Sequence, residues 1–272
     1  MPNPIQISVI IPTYRPGAYL WTCLDSLCRQ TMPAERFEMI IILNGCNEPY
    51  TTEIAQYISA HPHHRFVVRQ TDTAGVSHAR NIGLDLCAGK YVAMVDDDDW
   101  LSPDYLALLW QKAAENSIVV TDVQLIDDVT GQERAYYLHD AFQTTFAKRP
   151  TFFTARSFFS TAWGKLIPMR VIAGDRFDTR FRLGEDALFM FTIARRVQTI
   201  CATSPAAVYY VRERSGSASR SPLDYFSRAG ILLRLACAYT TIWARHPRQY
   251  HFLFFVSRIV ATLAKLFLIR YR

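Results

Sequence analysis

Four consecutive carboxylates, Asp96-Asp97-Asp98-Asp99, come directly after the apolar run Tyr91-Val92-Ala93-Met94-Val95 with nothing between them. Like charges at the end of a buried segment repel one another and resist desolvation, so the run asks for something positive. A hard divalent cation, Mg²⁺ or Mn²⁺, suits such oxygens, since it commonly takes one or two carboxylates and leaves its other positions to substrate phosphates. A solvated acidic turn is the alternative. The Asp-x-Asp-x-Asp-Gly spacing and closing Glu of a calcium loop are absent. A second acidic pair, Glu185-Asp186, comes after Gly184 at the start of a helix expected over 187–196. Carboxylates in a first helical turn complement the helix dipole, which favours their ionised form and makes Asp186 a modest base.

These residues need elements to hold them. Ile7-Ser8-Val9-Ile10-Ile11 and Phe37-Glu38-Met39-Ile40-Ile41-Ile42-Leu43 are continuous apolar runs of the kind that form buried parallel strands. Between them, Leu20, Cys23, Leu24 and Leu27 repeat at helical spacing within 18–30, which predicts a βαβ unit. A helix over 51–60, a strand over 65–69, a helix over 76–86 and a strand over 90–95 continue the alternation of a doubly wound sheet. Ligands bind such sheets beyond the strand carboxyl ends. That places chemistry at Pro12-Thr13-Tyr14-Arg15, Asn44-Gly45-Cys46-Asn47 and the aspartate run. From about 141 to 160 the chain is aromatic and reads as irregular, and from Leu223 onward it reads as two or three helices.

Val9-Ile10-Ile11-Pro12-Thr13-Tyr14, then Gly75-Val76-Ser77-His78-Ala79-Arg80-Asn81-Ile82-Gly83, then the segment from Gly89 through Asp99, resemble in order and spacing the family-two glycosyltransferases of bacterial polysaccharide synthesis. Phe177-Asp178-Thr179-Arg180-Phe181 with Gly184-Glu185-Asp186-Ala187-Leu188-Phe189 resembles that family's acceptor-side "ED" region, and Tyr209-Tyr210-Val211-Arg212 through Ser217 resembles the segment next in order in that family. The resemblance covers roughly residues 5–220. It implies an inverting enzyme of the GT-A fold, a Rossmann-like, mostly parallel α/β sheet flanked by helices, here with a helical carboxy-terminal extension. It further implies a nucleotide-sugar site at Pro12, Tyr14, Asn44, Arg80, Asp96 and Asp97, with Tyr14 stacking on the base. Asn44 stands where the family usually has an aspartate that accepts a hydrogen bond from uracil; its amide can accept that bond but also offers a donor. Asp98, with Asp96, matches the metal ligands, and Asp186 the catalytic base. Trp163, Lys165 and Glu185 match the acceptor side, although a large aromatic before glycine is as often plain core.

The net charge of +6 conceals an asymmetry: residues 1–144 carry 9 Lys/Arg against 18 Asp/Glu, residues 145–272 carry 21 against 6. The basic part suits anionic partners such as phosphorylated substrates or an anionic membrane face. With no helix-turn-helix, zinc-finger or RNA-binding motif, nucleic acid is not an expected partner. Six scattered cysteines without a Cys-x-x-Cys pair predict reduced thiols. No secretory leader is expected at the start, which points to the cytoplasm or the inner face of a membrane. Residues 252–269 are apolar enough to suggest a span, yet Arg258, Thr262 and Lys265 fall on one helical face and predict an amphipathic helix, packed on the domain or lying at a membrane surface. The expected organisation is a GT-A domain over 1–220, with a nucleotide-sugar half at 1–100 and an acceptor half at 101–220, then a basic amphipathic tail over 221–272. The expected function is metal-dependent transfer from a nucleotide-sugar, most simply a UDP-sugar, to a saccharide or lipid-linked saccharide in surface polysaccharide synthesis. A catalytically silent nucleotide-sugar-binding module is the rival.

Overall fold

The apolar runs of the amino-terminal half become the middle of a sheet. The computed structural model describes residues 4–214 and 225–268. In it β1 (Ile7–Thr13) and β2 (Phe37–Asn44) are buried along their whole lengths and pair in parallel from Ile7 opposite Phe37 to Thr13 opposite Leu43. Uninterrupted Val/Ile strands of this kind need cover on both faces. One cover is α1 (Tyr19–Cys28), which turns Leu20, Cys23, Leu24 and Leu27 inward. The chain continues through α2 (Tyr50–Ser59), β3 (Phe66–Thr71), α3 (Val76–Leu86) and β4 (Tyr91–Met94), each within two residues of the sequence-based expectation.

Beyond the aspartates the alternation loosens. The chain passes through β5 (Trp100–Leu101), α4 (Tyr105–Gln111), β6 (Ser117–Val120), β7 (Asp122–Asp127), β8 (Glu133–Arg134) and α5 (Tyr137–Thr145). Then come β9 (Lys165–Pro168), α6 (Met169–Ile172), α7 (Glu185–Ala194), β10 (Thr199–Ala202) and β11 (Val208–Glu213). The main sheet runs β10-β6-β9-β4-β1-β2-β3 and is parallel except for β9, which is antiparallel to both its neighbours. A second sheet, β5-β11-β7-β8, stands beside the aspartates. The segment expected to be irregular contains a real helix, α5, because Leu138 and Phe142 bury one side of it and Phe146 packs against Phe158.

The tail forms α8 (Tyr225–Arg245) and α9 (Phe252–Leu268), packed on each other. The motif expected to run through Ser217 lies in part outside the described residues. No helix among the described residues is long and apolar enough to cross a membrane. The amphipathic expectation for 252–269 is inverted, however. Phe254, Arg258 and Thr262 face inward, while Phe252, Leu253 and Val260 face solvent. All six cysteines are free thiols.

Candidate active site

The end of β4 and the start of α7 meet at one arginine. Arg80, on α3, is 3% exposed; its Nη1 donates to Asp186 Oδ1 at 2.5 Å and its Nη2 to Asp96 Oδ1 at 2.8 Å. Two such charge-assisted bonds from one rigid guanidinium fix the distance between the aspartate run and the helix that carries Asp186. Burial alone would lower the pKa of Arg80, but the Asp186 and Asp96 carboxylates outweigh it and the net direction is upward. The other Asp186 oxygen, Oδ2, accepts the Ala162 backbone N–H at 2.9 Å. Gly184 precedes α7 with φ +80°, and a Cβ there would stand 2.7 Å from Leu235 Cδ2 on α8. The backbone angle is the one that favours glycine, and a Cβ there would also have to displace the Leu235 methyl.

The four aspartates have separate surroundings. Asp97 accepts a hydrogen bond from the Thr13 hydroxyl at the end of β1. Asp98 Oδ2 pairs with Arg214 Nε at 2.7 Å, and its backbone oxygen accepts from Arg212 Nε at 2.9 Å. Asp99 is buried, and its Oδ1 accepts the Arg212 backbone N–H at 2.9 Å. The Asp96 backbone N–H donates to the Tyr209 hydroxyl at 3.1 Å. Burial raises the pKa of Asp96, with Arg80 opposing and Asp186 and Asp98 adding to the rise. Burial likewise pushes Asp97 up to about 7, against the lowering effect of Thr13, and lifts Asp99 well above its ordinary value with Asp96 and Asp98 adding to it. Sequence reasoning asked for one positive partner, and among the described residues part of that charge comes from Arg80 and Arg214.

A divalent cation still fits. Asp96 Oδ2 and Asp98 Oδ1 have no hydrogen-bond partner among the described residues, whereas their other oxygens are held by arginines. No group of three or more His, Cys, Asp or Glu able to hold a metal by itself occurs among the described residues. Two free carboxylate oxygens with the remaining positions left to a diphosphate is the donor set that Mg²⁺ or Mn²⁺ accepts.

Three expected site residues sit elsewhere than their expected roles require. Lys165 is 2% exposed, and its ammonium donates to Thr161 O at 2.7 Å, Thr161 Oγ1 at 3.1 Å and Trp163 O at 2.5 Å. All three of its protons are used, so it braces the 161–163 turn from below and does not face an acceptor. That turn carries the Ala162 N–H bonded to Asp186. Burial pushes the Lys165 pKa down to about 7, with Asp186 opposing. Trp163 is buried and stacks on Tyr209 with ring centroids 4.9 Å apart, which makes it core beneath Asp96. Asn44 is buried with both ends of its amide committed: Nδ2 donates to Thr13 O at 2.7 Å and Oδ1 accepts Gly75 N at 2.8 Å. It ties the ends of β1 and β2 to the start of α3.

Tyr14 is 47% exposed at the end of β1, with the Arg15 guanidinium 5.2 Å from its ring centroid. Pro12 is buried within β1. Glu185 is half-buried in the first turn of α7, its pKa raised by burial and then by Asp186. Sequence reasoning missed Ala162, and it gave no individual role to Thr13, Tyr209 and Arg214, although all three lie in segments that it singled out. The signals for Arg214 were its place in the segment from Tyr209 through Ser217 and its position two residues beyond Arg212 at the end of an apolar strand.

The family model described as Glycosyl transferase family 2 matches residues 8–177. Glycosyltransferase GlyA of Streptococcus pneumoniae is 31% identical over 79% of this chain and 32% of its own length. Poly(ribitol-phosphate) beta-N-acetylglucosaminyltransferase TarS of Staphylococcus aureus is 26% identical over 82% of this chain and 39% of its own. The chain thus spans 32% and 39% of the lengths of these two relatives. The crystal structure of S. aureus TarS residues 1–349 in complex with UDP-GlcNAc superposes with TM-score 0.72 at 19% identity, covering 95% of this chain and 72% of that one. The mannosyltransferase PcManGT from Pyrobaculum calidifontis, in complex with GDP-Man and Mn²⁺, gives TM-score 0.61 at 16% identity, covering 97% of this chain and 76% of that one.

Proposed function

The chain belongs to glycosyl transferase family 2 and has the GT-A fold, and on that premise we propose that it moves a sugar from a UDP-sugar to a hydroxyl of a saccharide or lipid-linked saccharide, inverting the anomeric carbon. The observation that carries this reading is Arg80, which holds Asp96 and Asp186 on one guanidinium and so sets the donor-side carboxylates beside the candidate base.

Asp186 takes the proton of the acceptor hydroxyl as that oxygen bonds to the anomeric carbon from the face opposite the phosphate. The bond from anomeric carbon to phosphate oxygen breaks, and its electron pair leaves with the nucleotide diphosphate. Proton transfer of this kind is effective when the base is held within hydrogen-bond reach. Arg80 Nη1 and the Ala162 N–H each hold one oxygen of Asp186, which limits the directions in which it can accept a proton. A divalent cation on Asp98 and Asp96 would supply neutralising charge to the departing diphosphate. Tyr14 offers an exposed ring to the base of the nucleotide.

We place the reaction in the synthesis of a surface polymer at the inner face of the membrane; a polymer acceptor is in the name of TarS, a poly(ribitol-phosphate) beta-N-acetylglucosaminyltransferase. The outward Phe252, Leu253 and Val260 on α9 support peripheral membrane contact. Nucleotide release from UDP-, GDP- and dTDP-sugars with and without Mn²⁺ tests the reading. The expected result is Mn²⁺-stimulated turnover with a UDP-sugar, lowered about 10²- to 10⁴-fold in Asp186→Asn with donor affinity retained. Full activity in that variant would remove Asp186 as the base, and tight binding without turnover of any donor would favour the silent binding module.

A further inference from the structure

Arg258, the residue that interrupts the apolar run of the tail, is 9% exposed and lines a cavity of about 320 Å³ between α5, the 154–160 segment and α9. Its Nη2 donates to the Arg156 backbone oxygen, its guanidinium lies over Phe254 with 5.1 Å to the ring centroid, and its Nε is buried without a hydrogen-bond partner. No carboxylate pairs with it among the described residues, and none lines the cavity. The second cation there is Arg156 itself, with Nη1 on the Phe153 backbone oxygen. A buried cation without a counter-ion is strongly unfavourable, and in a helix this apolar Met or Leu would fill the same volume. An anion is the missing partner.

The rest of the lining narrows the ligand. Six hydroxyl side chains border the cavity, among them Thr144, Ser160 and Ser257. Those three point their protons at the protein's own backbone: Thr144 Oγ1 donates to Asp140 O, Ser160 Oγ to Ser157 O and Ser257 Oγ to Phe254 O. Their lone pairs remain for donors on an occupant, while the guanidinium donors need an acceptor. An occupant that offers both is a phosphate ester on a hydroxylated carbon chain. Ser160 also lies two residues before Ala162, whose N–H holds Asp186, so such an occupant would sit on the base's side of the site.

We propose that this cavity binds the phosphate group of a polyhydroxylated phosphoester through Arg258 and Arg156, and, as a step that rests on the transferase reading, that this phosphoester is part of the acceptor. The same chemistry occurs in a soluble polyol phosphate and in a glycerophosphate headgroup at a membrane. Calorimetric titration of the intact protein with glycerol 3-phosphate, inorganic phosphate and glycerol, and co-sedimentation with phosphatidylglycerol against phosphatidylcholine vesicles, separates them. Glycerol 3-phosphate is expected to bind and glycerol not to. Arg258→Met should weaken binding by about tenfold or more, and Arg156→Ala, a change at an exposed side chain that leaves the fold intact, should weaken it several-fold. Binding of glycerol 3-phosphate alone assigns a soluble polymer, and Arg258-dependent binding to phosphatidylglycerol vesicles assigns the membrane. No binding by the wild type, or equal binding by the wild type and Arg156→Ala, overturns the proposal even if Arg258→Met does not fold. A parallel titration with UDP, GDP and dTDP keeps the two readings apart, because a protein that binds glycerol 3-phosphate but none of these nucleotides loses the transferase reading and keeps the anion site.

Discussion

Arg214 Nε lies 2.7 Å from Asp98 Oδ2, so the carboxylate assigned to the metal already carries a cation. The guanidinium also covers the Tyr19 ring, 4.6 Å from its centroid, which holds it in place. A metal that approaches Asp98 without a nucleotide must share that carboxylate with Arg214. Arg214→Gln should therefore tighten Mn²⁺ binding to the nucleotide-free protein by up to about fivefold, as expected when an ion pair of modest strength competes. Asp98→Asn should abolish that binding. Both are read by electron paramagnetic resonance of free Mn²⁺, and unchanged affinity in Arg214→Gln would show that the metal does not use Asp98.

Arg80 stands between two carboxylates with almost no access to water. Arg80→Met is expected to destabilise the protein by about 3–5 kcal/mol, since it leaves both acids uncompensated. Combining it with Asp186→Asn should recover part of that loss, because the two changes share one interaction. Urea denaturation of the single and double variants measures the coupling; strict additivity would deny it.

Asn44→Asp is a test of the strut. A carboxylate cannot donate to Thr13 O, so the variant should lose about 1–3 kcal/mol of stability. The ratio of UDP to GDP affinity should not change, because the amide faces backbone on both sides. A shift in that ratio, measured by titration calorimetry, would return Asn44 to the base site.

Lys165 makes stability depend on pH with a definite sign. Its folded pKa is about 7 against an ordinary 10.5, so between those values the unfolded chain binds more protons than the folded one. Its contribution is complete above about pH 10.5 and is lost as the pH falls through 7. The stability of the wild type relative to Lys165→Met should therefore rise from pH 7 to pH 10, a trend that denaturation across that range would reveal or refute.

The amino-terminal strands were legible because Ile7–Ile11 and Phe37–Leu43 are apolar without a break and are buried on both faces. The candidate site residues from Tyr14 to Asp186 could be chosen by residue type, but the directions of their side chains could not be read from sequence. Whether Lys165 points outward or folds back onto Thr161 depends on the antiparallel insertion of β9 between β4 and β6, a pairing set by contacts far apart in sequence. Arg258 failed for the same reason: helical spacing put it on one face with Thr262, and nothing local said that this was the buried face. The second sheet was missed because β5 and β8 have two residues each, too short for any alternation to register.

The match to the family model ends at residue 177, nine residues before Asp186. The turn that delivers Asp186 leaves room at Gly184 for Leu235 of α8, and the Tyr250 hydroxyl beyond that helix donates to the Thr192 backbone oxygen on α7. Anyone trimming this chain to its recognisable core would keep only part of the nucleotide's seat, losing Arg212 and Arg214 from Asp98 and Asp99, and would discard the base together with its backstop. Conversely, exchanging the last fifty residues for those of a relative is a way to retune proton transfer without touching a residue that meets the donor.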